Sequence, residues 1–129
     1  MAERLKIEVN AMAKVKQYFG DENGYDVQDK SHENLGYDLL AVSKAAELQL
    51  EVKGNKGKAV CVELTPNEYS CARKNSGTFR LCVVLDALNE TLSERKLRIF
   101  RRVAKGAKCK DESGNHIRTV EKTGAVIRE

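Results

Sequence analysis

The segment Phe79-Arg80-Leu81-Cys82-Val83-Val84-Leu85 constrains the fold more than any other part of the chain. Apolar side chains fall at both odd and even positions, so a strand here buries both of its faces. A strand that is dry on two sides needs cover from two directions, which calls for a sheet with other elements packed on each face. We expect this strand at the centre of that sheet.

The rest of the chain supplies the cover. Residues 3–19 have helical spacing, with Leu5, Val9, Met12 and Phe19 as the inward stripe and Lys6, Lys14 and Lys16 facing away. Gly20 and Gly24 end that helix. Residues 25–29 read as a short strand and 30–35 as a loop. Residues 36–42 and 48–54 are apolar-rich segments joined by a hairpin loop. Residues 59–64 follow after a glycine-bearing turn as a third hairpin strand. Thr65-Pro66-Asn67-Glu68 carries an N-cap, a proline at the first helical position and a capping-box glutamate, starting a helix that runs to Asn75 and closes at Gly77. Leu97–Val103 alternates as a strand nearer the edge. The order is therefore a helix, four strands, a helix and two strands in an α/β domain over 1–103. Residues 104–129 form an extension with one further strand at 120–127.

With 129 residues, 41% of them hydrophobic and 33% charged, the chain is long enough for one core under a charged surface. Its N-terminus is charged where a secretory signal is apolar, and no run approaches membrane-spanning length. Cytoplasm is the expected compartment. The cysteines at 61, 71, 82 and 109 include no C-x-x-C pair, and only two histidines occur, which disfavours a structural zinc site. Cys61 and Cys82 lie in apolar runs and read as packing residues.

The chemistry concentrates in the hairpin. A loop at 44–47 places Ser43 opposite Leu48 and Asp38 opposite Lys53, while Glu51 and Lys53 share a face because they are two apart on one strand. Two carboxylates and a backbone carbonyl, that of Val52, offer hard oxygen ligands to Mg²⁺ or Mn²⁺. A metal so held lowers the pKa of a bound water, and a neighbouring lysine stabilises charge on phosphate oxygens. The plainer alternative is a cross-strand salt-bridge cluster.

Gly36-Tyr37-Asp38-Leu39, Glu51-Val52-Lys53-Gly54 and Glu63-Leu64-Thr65-Pro66-Asn67-Glu68 together resemble a domain family of unknown function, the C-terminal domain of NO VEIN, which is also fused to bacterial helicases and restriction-type proteins. The resemblance covers about residues 5–103, including Glu8, Ala11-Met12 and Val83-Val84-Leu85 with Asp86-Ala87 after it. That family is similar to the PD-(D/E)XK nucleases, which implies a restriction-endonuclease-like core. It also implies a catalytic set of Asp38, Glu51 and Lys53, with Glu8 contributed by the first helix. Tyr37 stands where the superfamily motif has proline. Thr65 and Glu68 recur in the family pattern, but the capping box accounts for both.

A metal-dependent nuclease of this kind is expected to act on duplex DNA, in a restriction or defence setting. The net charge of +4 and a pI near 8.9 are mildly basic. Lys56, Lys58, Arg73 and Lys74 are the candidate phosphate contacts. Without tryptophan and with 5% aromatics, no stacking platform for single strands is indicated. A homodimer, or a helicase or methyltransferase partner, fits so small a unit. The alternatives are a non-catalytic nucleic-acid-binding module and a protein-interaction domain.

Overall fold

The computed structural model describes residues 2–101, 103, 108–110, 116–121 and 125–128. The order is α1 (Ala2–Lys16), a π-helical turn (Gln17–Glu22), β1 (Asp26–Asp29), β2 (Leu39–Val42), β3 (Glu47–Gly54), β4 (Cys61–Leu64), α2 (Pro66–Lys74), β5 (Phe79–Leu85), a 3₁₀ turn (Leu92–Glu94), β6 (Lys96–Phe100), β7 (Lys108–Lys110), β8 (His116–Glu121) and β9 (Ala125–Arg128). The expected order holds through β6. Beyond it the chain adds three strands where one was expected at 120–127, and residues 122–124 of that stretch lie outside the described residues.

Five strands form a mixed, mostly antiparallel sheet in the order β1-β2-β3-β5-β6, and β4-β9-β8-β7 form a second sheet. Only β3 and β5 run parallel within the first sheet, joined through β4 and α2. β5 is buried along its whole length, as its composition requires, yet β3 is the middle strand. The expectation of a continuous meander through 59–64 is not met. β4 leaves β3 and pairs with β9, while Asn55 holds the start of β4 through Nδ2 donating to Cys61 O (2.9 Å) and Cys61 N–H donating to its Oδ1 (3.2 Å). The vacated edge of β3 takes β5, whose two apolar faces need an interior position.

Strand alternation sorts the core into two layers. Leu48 and Leu50 of β3, with Cys82 and Val84 of β5, pack against Ala11 and Val15 of α1 and Phe19 of the π-helical turn. Leu81, Val83 and Leu85 point the other way, into a cluster with Tyr69 and Ala72 of α2 and Ile127 of β9. The inward stripe of α1 is thus Ile7, Ala11 and Val15, continued by Phe19 of the π-helical turn, and Leu5 and Val9 are 61% and 58% exposed. The reason lies across the interface at Gly54. A Cβ there would stand 2.5 Å from Ile7 Cγ2 and 3.3 Å from Ala11 Cβ, so the small side of α1 sits directly on the glycine. Gly20 lies within the π-helical turn and does not end the helix; Gly24, with φ at +72°, follows that turn.

α2 begins as its sequence dictates. Thr65 Oγ1 accepts from Glu68 N–H, and Glu68 returns a carboxylate oxygen to Thr65 N–H, completing the capping box. Asn75, not Gly77, is the C-cap, and its N–H donates to Cys71 O. No helix among the described residues is long and apolar enough to cross a membrane.

Candidate active site

The β2–β3 hairpin closes through Ser43, whose N–H donates to Ala46 O (2.8 Å) and whose Oγ accepts from Ala45 and Ala46 N–H (3.3 and 3.1 Å). Ser43 therefore belongs to the loop, and Val42 faces Glu47. The expected register shifts by two residues, so Asp38 lies beside Glu51 rather than opposite Lys53. Because the shift is even, no side chain changes face.

Asp38 is fixed on every side. Its N–H donates to Leu50 O (2.9 Å), its carbonyl accepts from Lys30 N–H (2.8 Å), and its Oδ2 accepts from Val52 N–H (2.9 Å). The preceding Gly36 has φ at +89°, and a Cβ on it would stand 2.7 Å from Cys71 Cβ, so the chain enters the hairpin hard against α2. Glu51 and Lys53 project from β3 into the layer on the α2 side, where their parallel partners Leu81 and Val83 also point. Glu51 is 2% exposed. Lys53 Nζ sits 3.3 Å from Glu51 Oε2 and 2.9 Å from Glu68 Oε1. The structure thus brings Asp38, Glu51 and Lys53 together and adds Glu68.

Burial is the main electrostatic fact here. It pushes the Glu51 carboxyl up to about 9, with the nearby Asp38 charge adding to the rise and Lys53 opposing it. Asp38 is raised by burial too, against the Val52 N–H and a hydrogen bond with Glu51. Glu68 ends below its ordinary value, since Lys53 and Thr65 N–H outweigh its burial. Lys53 ends above its own, since Glu51 and Glu68 outweigh the burial that disfavours its charge. At neutral pH the cluster holds a protonated Glu51, an ionised Glu68 and an ammonium.

The donor set suits a hard divalent cation in one respect. Asp38 and Glu51 are oxygen donors on one face, and Val52 turns its N–H toward Asp38, so strand geometry aims its carbonyl toward that same edge. Among the described residues no group of three or more His, Cys, Asp or Glu side chains is arranged to hold a metal. An ion here would rely on two side-chain carboxylates, backbone oxygen and water, which is how Mg²⁺ is commonly held.

Glu8 does not join the cluster. α1 covers the opposite face of the sheet, and Glu8 is exposed there, paired with Arg4 at 3.8 Å. Its place in the set came from the family resemblance, whereas it is Ile7, Ala11 and Val15 that α1 turns to the sheet. Lys56 pairs with Glu3 (3.2 Å) and Lys58 with Asp86 (3.9 Å); Arg73 lies over the Tyr69 ring at 5.3 Å, and Lys74 ends α2. Glu68, which the sequence reads as a capping-box residue, joins the cluster through its contact with Lys53 Nζ.

Fold and site define an α/β domain whose mixed sheet carries a buried glutamate beside a half-buried aspartate and a lysine on its α2 face. The chain belongs to the family described as Protein NO VEIN, C-terminal, whose family model matches residues 7–100. A comparison with curated proteins finds no match.

Proposed function

We propose that this domain is a metal-dependent phosphodiesterase of the PD-(D/E)XK type, hydrolysing DNA, with a restriction-endonuclease-like core formed by α1, the β2–β3 hairpin, β5 and α2. One observation carries the reading: Asp38 and Glu51 meet on one face with Lys53 3.3 Å from Glu51, where Glu51 is buried and Asp38 and Lys53 are half-buried. Placing two carboxylates together in such surroundings is costly unless a cation or a proton compensates. Asp38, Glu51 and the Val52 carbonyl would hold Mg²⁺ or Mn²⁺, which supplies an acidified water and charge neutralisation. Asp38 is oriented by the Val52 N–H, and Lys53 presents its ammonium beside the carboxylates where charge on a phosphate would develop. Lys56, Lys58, Arg73 and Lys74 are the proposed backbone contacts, the first two giving up exposed ion pairs of small worth.

A second reading rests on a different observation. Lys53 already has two carboxylate partners, as a structural ion cluster in a non-catalytic binding module would. The test is incubation of the protein with supercoiled, linear and single-stranded DNA in Mg²⁺ or Mn²⁺. Metal-dependent cleavage lost in Asp38→Asn supports the nuclease. Inactivity on every substrate together with tight DNA binding supports the module.

A further inference from the structure

Glu68 Oε1 accepts two hydrogen bonds, from Thr65 N–H and from Lys53 Nζ, each at 2.9 Å. A capping box needs only the first. Its usual glutamate lies at a solvated helix end, whereas this one is turned inward with its side chain 19% exposed. Lys53 has a flexible four-carbon stem and, left to itself, many places to put its charge. The Glu68 contact is shorter than that to Glu51 (3.3 Å), and it comes from an oxygen already tied to the backbone of α2. Thr65 and Pro66 fix that oxygen in turn, since the proline pre-sets the first helical residue and the threonine hydroxyl accepts from Glu68 N–H at 3.2 Å.

We propose that Glu68 is the positioning residue of Lys53, so that the first turn of α2, and not solvent, sets where the ammonium stands beside Asp38 and Glu51. The catalytic consequence rests on the nuclease reading; the positioning does not. Glu68 itself touches neither metal nor phosphate in this scheme. It lowers the freedom of a group that must be in place before charge develops, where small misplacements are expensive.

The experiment follows the Lys53 ammonium by ¹⁵N-detected NMR in the full chain without metal or DNA, beside cleavage of supercoiled duplex DNA in Mg²⁺. In Glu68→Ala the Lys53 Nζ resonance should shift and broaden. The same variant should lose kcat by about a hundredfold, the cost of a misplaced group, with KM nearly unchanged. Glu68→Gln keeps an oxygen that can accept from both donors and should recover much of that loss. Thr65→Ala removes the hydroxyl half of the cap and leaves Oε1 in place, so it should lower the melting temperature and spare kcat. An unmoved Nζ resonance in Glu68→Ala overturns the proposal. So does an equal loss of kcat in Thr65→Ala, which would place the effect in the cap. Should Glu68→Ala not fold, Glu68→Gln decides, because loss of the charge must still shift Nζ while the melting temperature holds. A wild-type protein that cleaves nothing, yet shows the Nζ shift in Glu68→Ala, removes the nuclease reading and leaves the positioning supported.

Discussion

Asp38 Oδ2 accepts the backbone N–H of Val52 at 2.9 Å, so the carboxylate that enters the site is also a tie between the start of β2 and the middle of β3. Its two roles can be separated. Asp38→Asn keeps an oxygen acceptor for Val52 N–H and should change stability by less than about 1 kcal/mol, whereas Asp38→Ala leaves a partly buried donor without this acceptor and should cost about 1 kcal/mol or more. Urea unfolding reads both. Equal stability of the two variants would mean that the tie contributes nothing.

Metal binding should weaken in Asp38→Asn and in Glu51→Gln, because each exchanges an ionised oxygen ligand for a neutral amide. Since Glu51 is held up to about 9 by burial, a cation must displace its proton at neutral pH. Calorimetry in two buffers of different ionisation enthalpy should therefore report release of about one proton per ion bound. No release would show that any ion binds away from Glu51.

Stability should fall as pH rises, and Glu51 is the reason. Its folded value of about 9 lies above the ordinary 4.5, so between the two the folded protein keeps a proton that the unfolded chain has lost. The contribution is fully present below 4.5 and is lost as pH passes through about 9. The slope over that window has the sign of a folded state that binds the extra proton. Asp29, lowered to about 2 by the Ser31 hydroxyl and N–H, acts only at more acid pH and with the opposite sign. Glu51→Gln should flatten the decline and be the more stable protein at alkaline pH. Parallel pH profiles of unfolding for wild type and variant would show that Glu51 is already ionised when folded.

Local rules made much of this legible in the sequence. The capping box at Thr65, Pro66 and Glu68 is a matter of four adjacent residues, and it formed as read. The shared face of Asp38, Glu51 and Lys53 survived a wrong register because the two-residue period forgives an even shift. What failed were choices settled at a distance. Leu5-Val9-Met12 and Ile7-Ala11-Val15 have equally good helical spacing, and only Gly54 on another element decides between them. β4 reads as a hairpin strand until β9, far along the chain, provides its partner. Glu68 was assigned wholly to the cap because nothing in the order of residues reveals that one oxygen can serve two donors.

Gly54→Ala tests that long-range choice. The new methyl would meet Ile7 Cγ2 at 2.5 Å and the Ile7 carbonyl oxygen at 3.1 Å, so α1 must move away from the sheet. Overpacking of this kind typically costs about 1–3 kcal/mol. The acidic cluster occupies the opposite face, so metal affinity should hold while the melting temperature drops. A variant as stable as wild type would show that α1 sits more loosely on β3 than the structure has it.

Charge balance and catalysis can be separated at Lys53. Lys53→Met keeps most of the stem and removes the ammonium, leaving Glu68 charged in a partly buried place with its main partner gone. Breaking such a pair from one side is expected to cost about 3 kcal/mol, chiefly the penalty of the stranded charge. Adding Glu68→Gln removes that charge, and the double variant should regain most of the lost stability, since a neutral pair of similar volume is often no worse than the ions it replaces. Cleavage should behave differently. If Lys53 stabilises charge on the phosphate, both Lys53→Met and the double variant should lose about 10²- to 10⁴-fold in rate, because the Gln restores balance but supplies no cation. DNA binding, measured with Ca²⁺ in place of Mg²⁺ to block turnover, should change little, as one phosphate contact among several is a small share of affinity. Stability and activity recovering together in the double variant would assign Lys53 to the structure alone. Stability recovering while cleavage stays lost would assign it to the reaction.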